Sequence, residues 1–318
     1  MHRTKNLARS LAGVMLVITA VGTGFVGEVR GEDKTALQER IIKAWRQREQ
    51  DVTSASFRFT QKIVWPAGSV RIPRQAAFEN PQRERFPAED TEFQVRCEYC
   101  FDGVSHRFRE AGTWPQPAGQ KPKKRDSLNT FDGEVAMSLW QPTSKRKFPQ
   151  GTIYKEADSP IKSNLEIEPL NQIYRLLHSS FRLFDAKGFV IASHAIEQNG
   201  VSCVLLVEKN GAGNRIRRML WADPARNFHI VRFVLKYNDG GFHRTVDFEY
   251  NEDDTYGWVP SGWKIVRKDQ EGRVILRIDA KITAYELNPQ ISADNFRIDF
   301  PQGTHVQDLR NDKRYVQE

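Results

Sequence analysis

The chain predicts an α+β fold: a large curved antiparallel sheet forming an unclosed β-barrel (half-barrel), with amphipathic helices covering its concave face. Three observations predict it. Residues 219–285 hold four or five alternating apolar and polar runs joined by turn residues, the signature of a strand meander. Nineteen Phe, eight Tyr and seven Trp in 318 residues favour strands over helices. Two segments, residues 34–51 and 168–179, carry helical three-to-four apolar spacing. So many strands exceed what one flat layer carries comfortably, so the sheet is expected to curl.

The first 31 residues read as a secretory signal. Arg3, Lys5 and Arg9 precede an uncharged run over residues 11–26. That run of 16 residues is shorter than the ~20 a spanning helix needs. Val29, Arg30 and Gly31 place cleavage after Gly31, and no cysteine stands there for a lipid anchor. The expected organisation is a leader over residues 1–31, one domain over 32–310 and a polar tail over 311–318. The expected location is exported and periplasmic.

Residues 34–51 form the first amphipathic helix, with Leu37, Ile41, Ala44, Trp45 and Arg48 on one stripe. The period then changes to two. Phe57, Phe59, Ile63 and Trp65 share one face of a strand, with Gln61 interrupting it. A return strand is expected over residues 74–79, stopped by Asn80 and Pro81. Asp102 and Gly103 join two strands as a hairpin. Residues 113–126 carry Pro, Gly and Lys and read as a loop. Asp132 and Gly133 turn a second hairpin within residues 128–140, and a short strand is expected around Ile153 and Tyr154. The second helix, residues 168–179, has Leu170, Ile173, Tyr174 and Leu177 as its stripe.

From Ala192 onward the pattern is nearly all strand. A hairpin crosses residues 210–214, and the residues from Trp221 to Asn227 turn the chain. Val231, Phe233, Leu235 and Tyr237 are expected on one face of the next strand. Val246, Phe248 and Tyr250 align on the strand after it, and residues 251–256 read as a polar loop. Val274, Leu276, Ile278, Ala280, Ile282 and Ala284 then alternate without a break.

Net charge is +8; residues 1–31 hold four Lys/Arg and one Glu, so the remaining chain carries +5. Local clusters at Lys121, Lys123, Lys124 and Arg125, and at Lys145, Arg146 and Lys147, read as solvated basic loops. An anionic lipid or acidic surface is the sharper reading of them. Cys97 and Cys100 stand three apart on a strand and point to opposite faces. Free buried thiols are the leading reading, a Cys203 bridge the second and metal the third.

The chain contains no nucleophile elbow, zinc-protease motif or phosphate loop, and Gly211 and Gly213 belong to a turn. His229 and His243 are a candidate pair across neighbouring strands, and Glu249, Asp253 and Asp254 a candidate carboxylate group. Each reads more simply as surface or core. The expectation is a protein without enzymatic activity and without a cofactor or bound metal.

The run from Ser54 to Ile63, which follows the first helix, and the run from Asn295 to Asp308 resemble the matching segments of LolA, the periplasmic lipoprotein carrier. The run from Phe131 to Trp140 resembles that family's Asp-Gly hairpin, and residues 169–177 its internal helix. RseB-like envelope-stress regulators and lipoprotein-sorting-like proteins are relatives of the same family. Where the carrier has an arginine before the strand-ending proline, this chain has Asn80. The resemblance implies a half-barrel with an apolar cavity for acyl chains. It implies ligand contacts at Phe57, Phe59, Ile63, Trp65, Phe233, Leu235, Phe248 and Ile278. Ile41, Trp45, Ile173 and Leu177 would face the sheet from the lid helices. The partners implied are an apolar ligand or lipoprotein, or an envelope protein met by a module whose cavity is filled. Nucleic acid is not among them, and membrane contact is at most peripheral. Whether the helices fill the concavity or leave a slot is open in the sequence.

Overall fold

The computed structural model describes residues 33–69, 87–116, 121–142, 147–155, 167–178, 188–198, 200–209, 216–236 and 243–318. The expected leader, the return strand at 74–79, Asn80 and Tyr237 lie outside the described residues. The chain divides into two compact units, residues 1–37 and 38–318. In the first, Asp33 caps the start of α1 (Lys34–Asp51). Its Oδ1 accepts the Thr35 amide at 3.1 Å and its carbonyl the Leu37 amide at 3.0 Å.

The second unit is built on one sheet. Its first strands are β1 (Ser54–Trp65), β2 (Thr91–Asp102), β3 (Ser105–Trp114), β4 (Lys123–Phe131), β5 (Ala136–Trp140) and β6 (Gln150–Tyr154). After α2 (Glu168–Tyr174) come β7 (Phe189–Gln198), β8 (Val201–Lys209), β9 (Ile216–Asp223), β10 (His229–Lys236), β11 (His243–Asp253), β12 (Gly257–Lys268) and β13 (Val274–Leu287). The chain ends in β14 (His305–Asp308) and β15 (Lys313–Val316). The spatial order is β15-β14-β6-β5-β4-β3-β2-β1-β13-β12-β11-β10-β9-β8-β7. Every pair is antiparallel except β14 with β6. The two ends of this order do not meet among the described residues, so the sheet is an unclosed half-barrel. The expected meander is β9 to β13, each strand beside the next.

Turns follow their residues. Gly103 takes φ +53 between β2 and β3. Asp132 Oδ1 accepts the Glu134 and Val135 amides at 3.0 and 2.8 Å, closing the β4–β5 turn. The outer face of β3 to β6 is covered by the segment before β14. There Phe296 and Ile298 are buried, Arg297 reaches Asp132 at 3.1 Å, and the Phe300 ring lies over Gly151. On the outer face of β8 to β10, Cys203, Trp221, Val231 and Val234 form a smaller apolar cluster.

Several expectations are corrected. Residues 113–126 are not one loop: β3 runs to Trp114 and β4 begins at Lys123, because Trp114 and Arg125 pack against each other. Residues 251–256 are not one loop: 251–253 are strand and 254–256 a turn. β11 continues to Asp253 and β12 starts at Gly257, with Pro260 accommodated beside a bulge at its Tyr250 partner. The alternation of β13 is broken where β1 shifts register between Arg58 and Phe59, so Ala284 pairs with Arg58 and no longer shares the face of Ile282. A shift between Ile230 and Arg232 likewise moves Val231 off the Phe233 face and into the outer cluster. Cys97, Cys100 and Cys203 are free thiols.

Candidate functional site

Register alone assembles one apolar face. Ile63 pairs with Ile278, Ile278 with Ile265, Ile265 with Val246, Val246 with Phe233, Phe233 with Leu220, and Leu220 with Leu206. Directly paired residues of a sheet share a face, so this row crosses seven strands on one side. Leu235 follows Phe233 by two. Phe248 pairs with Trp263, and the Trp263 ring meets Phe59 edge-on at 5.0 Å. Phe57 and Trp65 complete the β1 row. All eight expected contact residues therefore lie on one face, and all but Trp65 are buried. Trp263, Tyr99, Val95 and Phe101 join them, and pattern reading had not selected these.

The helices reach this face through a few polar contacts. In α1, Ile41 and Trp45 are buried as expected. Trp45 Nε1 donates to the Phe228 carbonyl and Arg48 Nη2 to the Asn227 carbonyl, both at 2.8 Å. Gln38 Nε2 donates to the Phe189 carbonyl at 3.0 Å. Asn227 and Phe228 are consecutive left-handed residues, φ 48 and 57. This conformation is costly for a non-glycine residue, and for an aromatic one especially. It places both carbonyls where α1 uses them. Beneath them, Arg48 Nη2 lies 3.1 Å from His229 Nδ1, and His229 also meets the Arg226 carbonyl. Burial and then the Arg48 charge push the His229 imidazole down to about 3, so it is neutral at physiological pH.

In α2, Pro169 opens the helix and Ile173 and Tyr174 are buried. The Tyr174 ring packs on Phe57 at 5.6 Å and on Phe101 at 6.4 Å. Asn171 Oδ1 accepts the Tyr99 hydroxyl at 2.6 Å, and Arg244 of β11 holds Glu168 bidentately. Burial drives the Tyr99 and Tyr174 phenols well above their usual range. The helix ends at Tyr174, so Leu177 does not extend its stripe. Instead the Leu177 amide donates to Glu49 Oε1 of α1 at 2.6 Å, and burial raises that carboxyl. Arg175 Nη2 reaches the Thr53 carbonyl at 3.1 Å, tying the end of α2 to the entrance of β1.

The opposite flank of the same face sets buried polar side chains among Phe108, Phe131 and Ala136. By register, Glu110, Ser127, Asn129 and Ser138 continue the inner side across β3, β4 and β5, and all four are buried. Where β1, β3 and β5 end, Trp65, Trp114 and Trp140 surround a cavity of about 230 Å³. Sequence reading missed Trp114 and Arg125 by placing them in a loop; the period-two run Phe108, Glu110, Gly112, Trp114 was the available signal.

The other candidates do not assemble. His229 and His243 begin adjacent strands, but His243 pairs with Lys236, seven residues and roughly 20 Å along the strand from His229. Glu249 pairs with Lys264 at 2.6 Å, while Asp253 accepts the Tyr285 hydroxyl and the Thr255 and Tyr256 amides. Among the described residues no His, Cys, Asp and Glu group has metal-binding geometry. None of the described helices is long and apolar enough to cross a membrane.

Several solved structures are similar to the chain. One is an outer membrane lipoprotein-sorting protein domain from Vibrio parahaemolyticus, with TM-score 0.44 and 11% identity over 81% of this chain and 95% of that one. A DUF1329 family protein from Desulfovibrio piger has TM-score 0.45 and 9% identity over 84% and 98%. A LolA superfamily protein from Nitrosomonas europaea has TM-score 0.38 and 12% identity over 81% and 98%. No family model matches the chain, and no curated protein does.

Proposed function

We propose that this protein is an exported, periplasmic, non-enzymatic carrier or sensor that holds an apolar ligand, an acyl chain or lipidated partner, against the inner face of the sheet. One observation carries the reading: the continuous apolar row from Ile63 to Leu206, on the side of the sheet where the Tyr174 ring of α2 packs. Burying hydrocarbon is favourable by ~0.8 kcal/mol per CH₂. A twelve-carbon chain thus brings roughly 9 kcal/mol before the costs of association and of moving a helix. The face needs no specific polar contact to hold it. Native mass spectrometry of protein purified from cells, followed by organic extraction, is expected to show bound lipid. Lipid-free protein from several hosts, unresponsive to added acyl chains, would sink the reading.

The near-complete burial of Phe57, Phe59 and Ile278 favours a second reading. Here the helices stay seated and the molecule is an envelope module that meets a protein partner. Crosslinking in envelope fractions is then expected to trap a stable partner, and α1 amides are expected to exchange hydrogen no faster than the sheet.

A further inference from the structure

The cavity at the ends of β1, β3 and β5 has a different chemistry from the apolar row. We propose that it receives an oxyanion carried on an apolar body, a carboxylate or phosphate headgroup, with Arg125 and the Trp114 indole N–H as donors. This rests on the reading of the inner face as a ligand surface, and it assigns the polar end of that ligand.

The walls of the box are packed aromatic rings. Phe93 packs on Trp65 at 4.9 Å and on Trp114 at 4.7 Å, and Trp65 meets Trp114 at 5.7 Å. Arg125 pairs with Gly112, where a Cβ would meet Val95 Cγ1 at 2.7 Å on the neighbouring β2. The Arg125 guanidinium lies between two indoles, its Cζ 4.7 Å from the Trp114 ring and 4.7 Å from the Trp140 ring. Stacking fixes the plane of the cation and leaves its edge for hydrogen bonds.

Two of the donors await an acceptor. Trp114 Nε1 and Arg125 Nε are both buried and have no hydrogen-bond partner among the described residues. Buried donors of this kind are ordinarily satisfied; both are covered by the stacked rings here, so a ligand oxygen meets them as that stack opens. Charge selects its sign. Lys123, Lys124 and Arg125 line the cavity with Asp126, three cations to one carboxylate. Asp126 is already held by Arg109 through two bonds of 3.1 and 2.9 Å, and Glu110 lies 3.7 Å from Arg125. Size selects its extent. About 230 Å³ admits a headgroup and a few methylenes, not a whole acyl chain. Trp65 stands two residues beyond Ile63 on the same face of β1, so the remaining chain can follow the apolar row.

The test uses the purified, delipidated protein labelled with 5-fluorotryptophan. Dodecanoate, dodecyl phosphate and dodecan-1-ol are titrated below their aggregation thresholds by ¹⁹F NMR and calorimetry. Acetate and inorganic phosphate are the chainless controls. At least one anionic amphiphile is expected to bind tenfold or more tightly than the alcohol and to shift the Trp65, Trp114 and Trp140 resonances. The tighter of the two anions identifies the headgroup. Arg125→Gln and Trp114→Phe are expected to abolish that preference, bringing the affinity for the anion within twofold of that for the alcohol. Trp114→Phe keeps the ring and so guards against a folding defect. Equal binding of acid and alcohol, or an anion preference that survives both substitutions, overturns the headgroup site and leaves the carrier reading intact. Chainless anions shifting the three resonances as strongly as the amphiphiles overturn the apolar-body assignment. Failure of all three amphiphiles overturns both readings.

Discussion

His229 shows how one buried side chain ties the seat of α1 to pH. It sits beneath the Asn227 and Phe228 turn, facing Arg48 from α1, Arg226 from the turn and the Tyr250 ring at 5.0 Å. Its folded pKa, about 3, lies below the unfolded value of 6.5, so between these two values the unfolded chain binds more protons. The stability from keeping it neutral is whole above about pH 6.5 and is lost as pH falls through that window. A loss of about 2 kcal/mol is expected between pH 7 and pH 5. Urea titrations of the wild type and His229→Gln at both pH values check this; an unchanged difference between the two proteins would contradict it. Gly262 is a second single-residue constraint. A Cβ there would lie 2.4 Å from the Ala280 carbonyl in the middle of β13, where the backbone is held on both sides. Gly262→Ala is expected to cost about 2 kcal/mol or more, read as a lowered urea midpoint at unchanged slope.

At the scale of elements, the two helices are held by different means. α2 is anchored by a charge pair, Arg244 with Glu168, in which Arg244 is 5% exposed. Glu168→Gln leaves a buried guanidinium without its counter-charge and is expected to cost about 3 kcal/mol. Faster hydrogen exchange in residues 168–174, with the sheet unaffected, would place that loss in α2. α1 is held in part by backbone carbonyls offered by two strained residues, beside its Gln38 and Glu49 contacts. Trp45→Phe keeps an aromatic ring but loses the bond to Phe228 and part of the buried indole, at about 2 kcal/mol or more. Adding Arg48→Met removes the second anchor. If α1 is the movable lid, this pair of changes is expected to raise binding of an apolar dye severalfold while the β-sheet circular dichroism stays constant. Unchanged dye binding would favour permanently seated helices.

For the whole molecule, strand existence and facing were largely legible because both are local. The alternation in Ser54–Trp65 names the inner side chains of β1, and the three-to-four spacing of Lys34–Asp51 names those of α1. Leu177 was misplaced because α2 stops at Tyr174, where Arg175 turns toward Thr53. Val231 was misplaced because a bulge reverses facing, and bulges answer to the partner strand. The rim site was hidden for a related reason. Trp65, Trp114, Arg125 and Trp140 come from four strands, and only pairing of β2, β3, β4 and β5 brings them to one corner. By itself the sequence determined an antiparallel, helix-covered sheet with one apolar side, since period and composition are properties of short segments. Tertiary structure alone decided that this side divides into an apolar row and a mixed, tryptophan-rimmed flank, because strand order and register are settled between segments far apart in the chain.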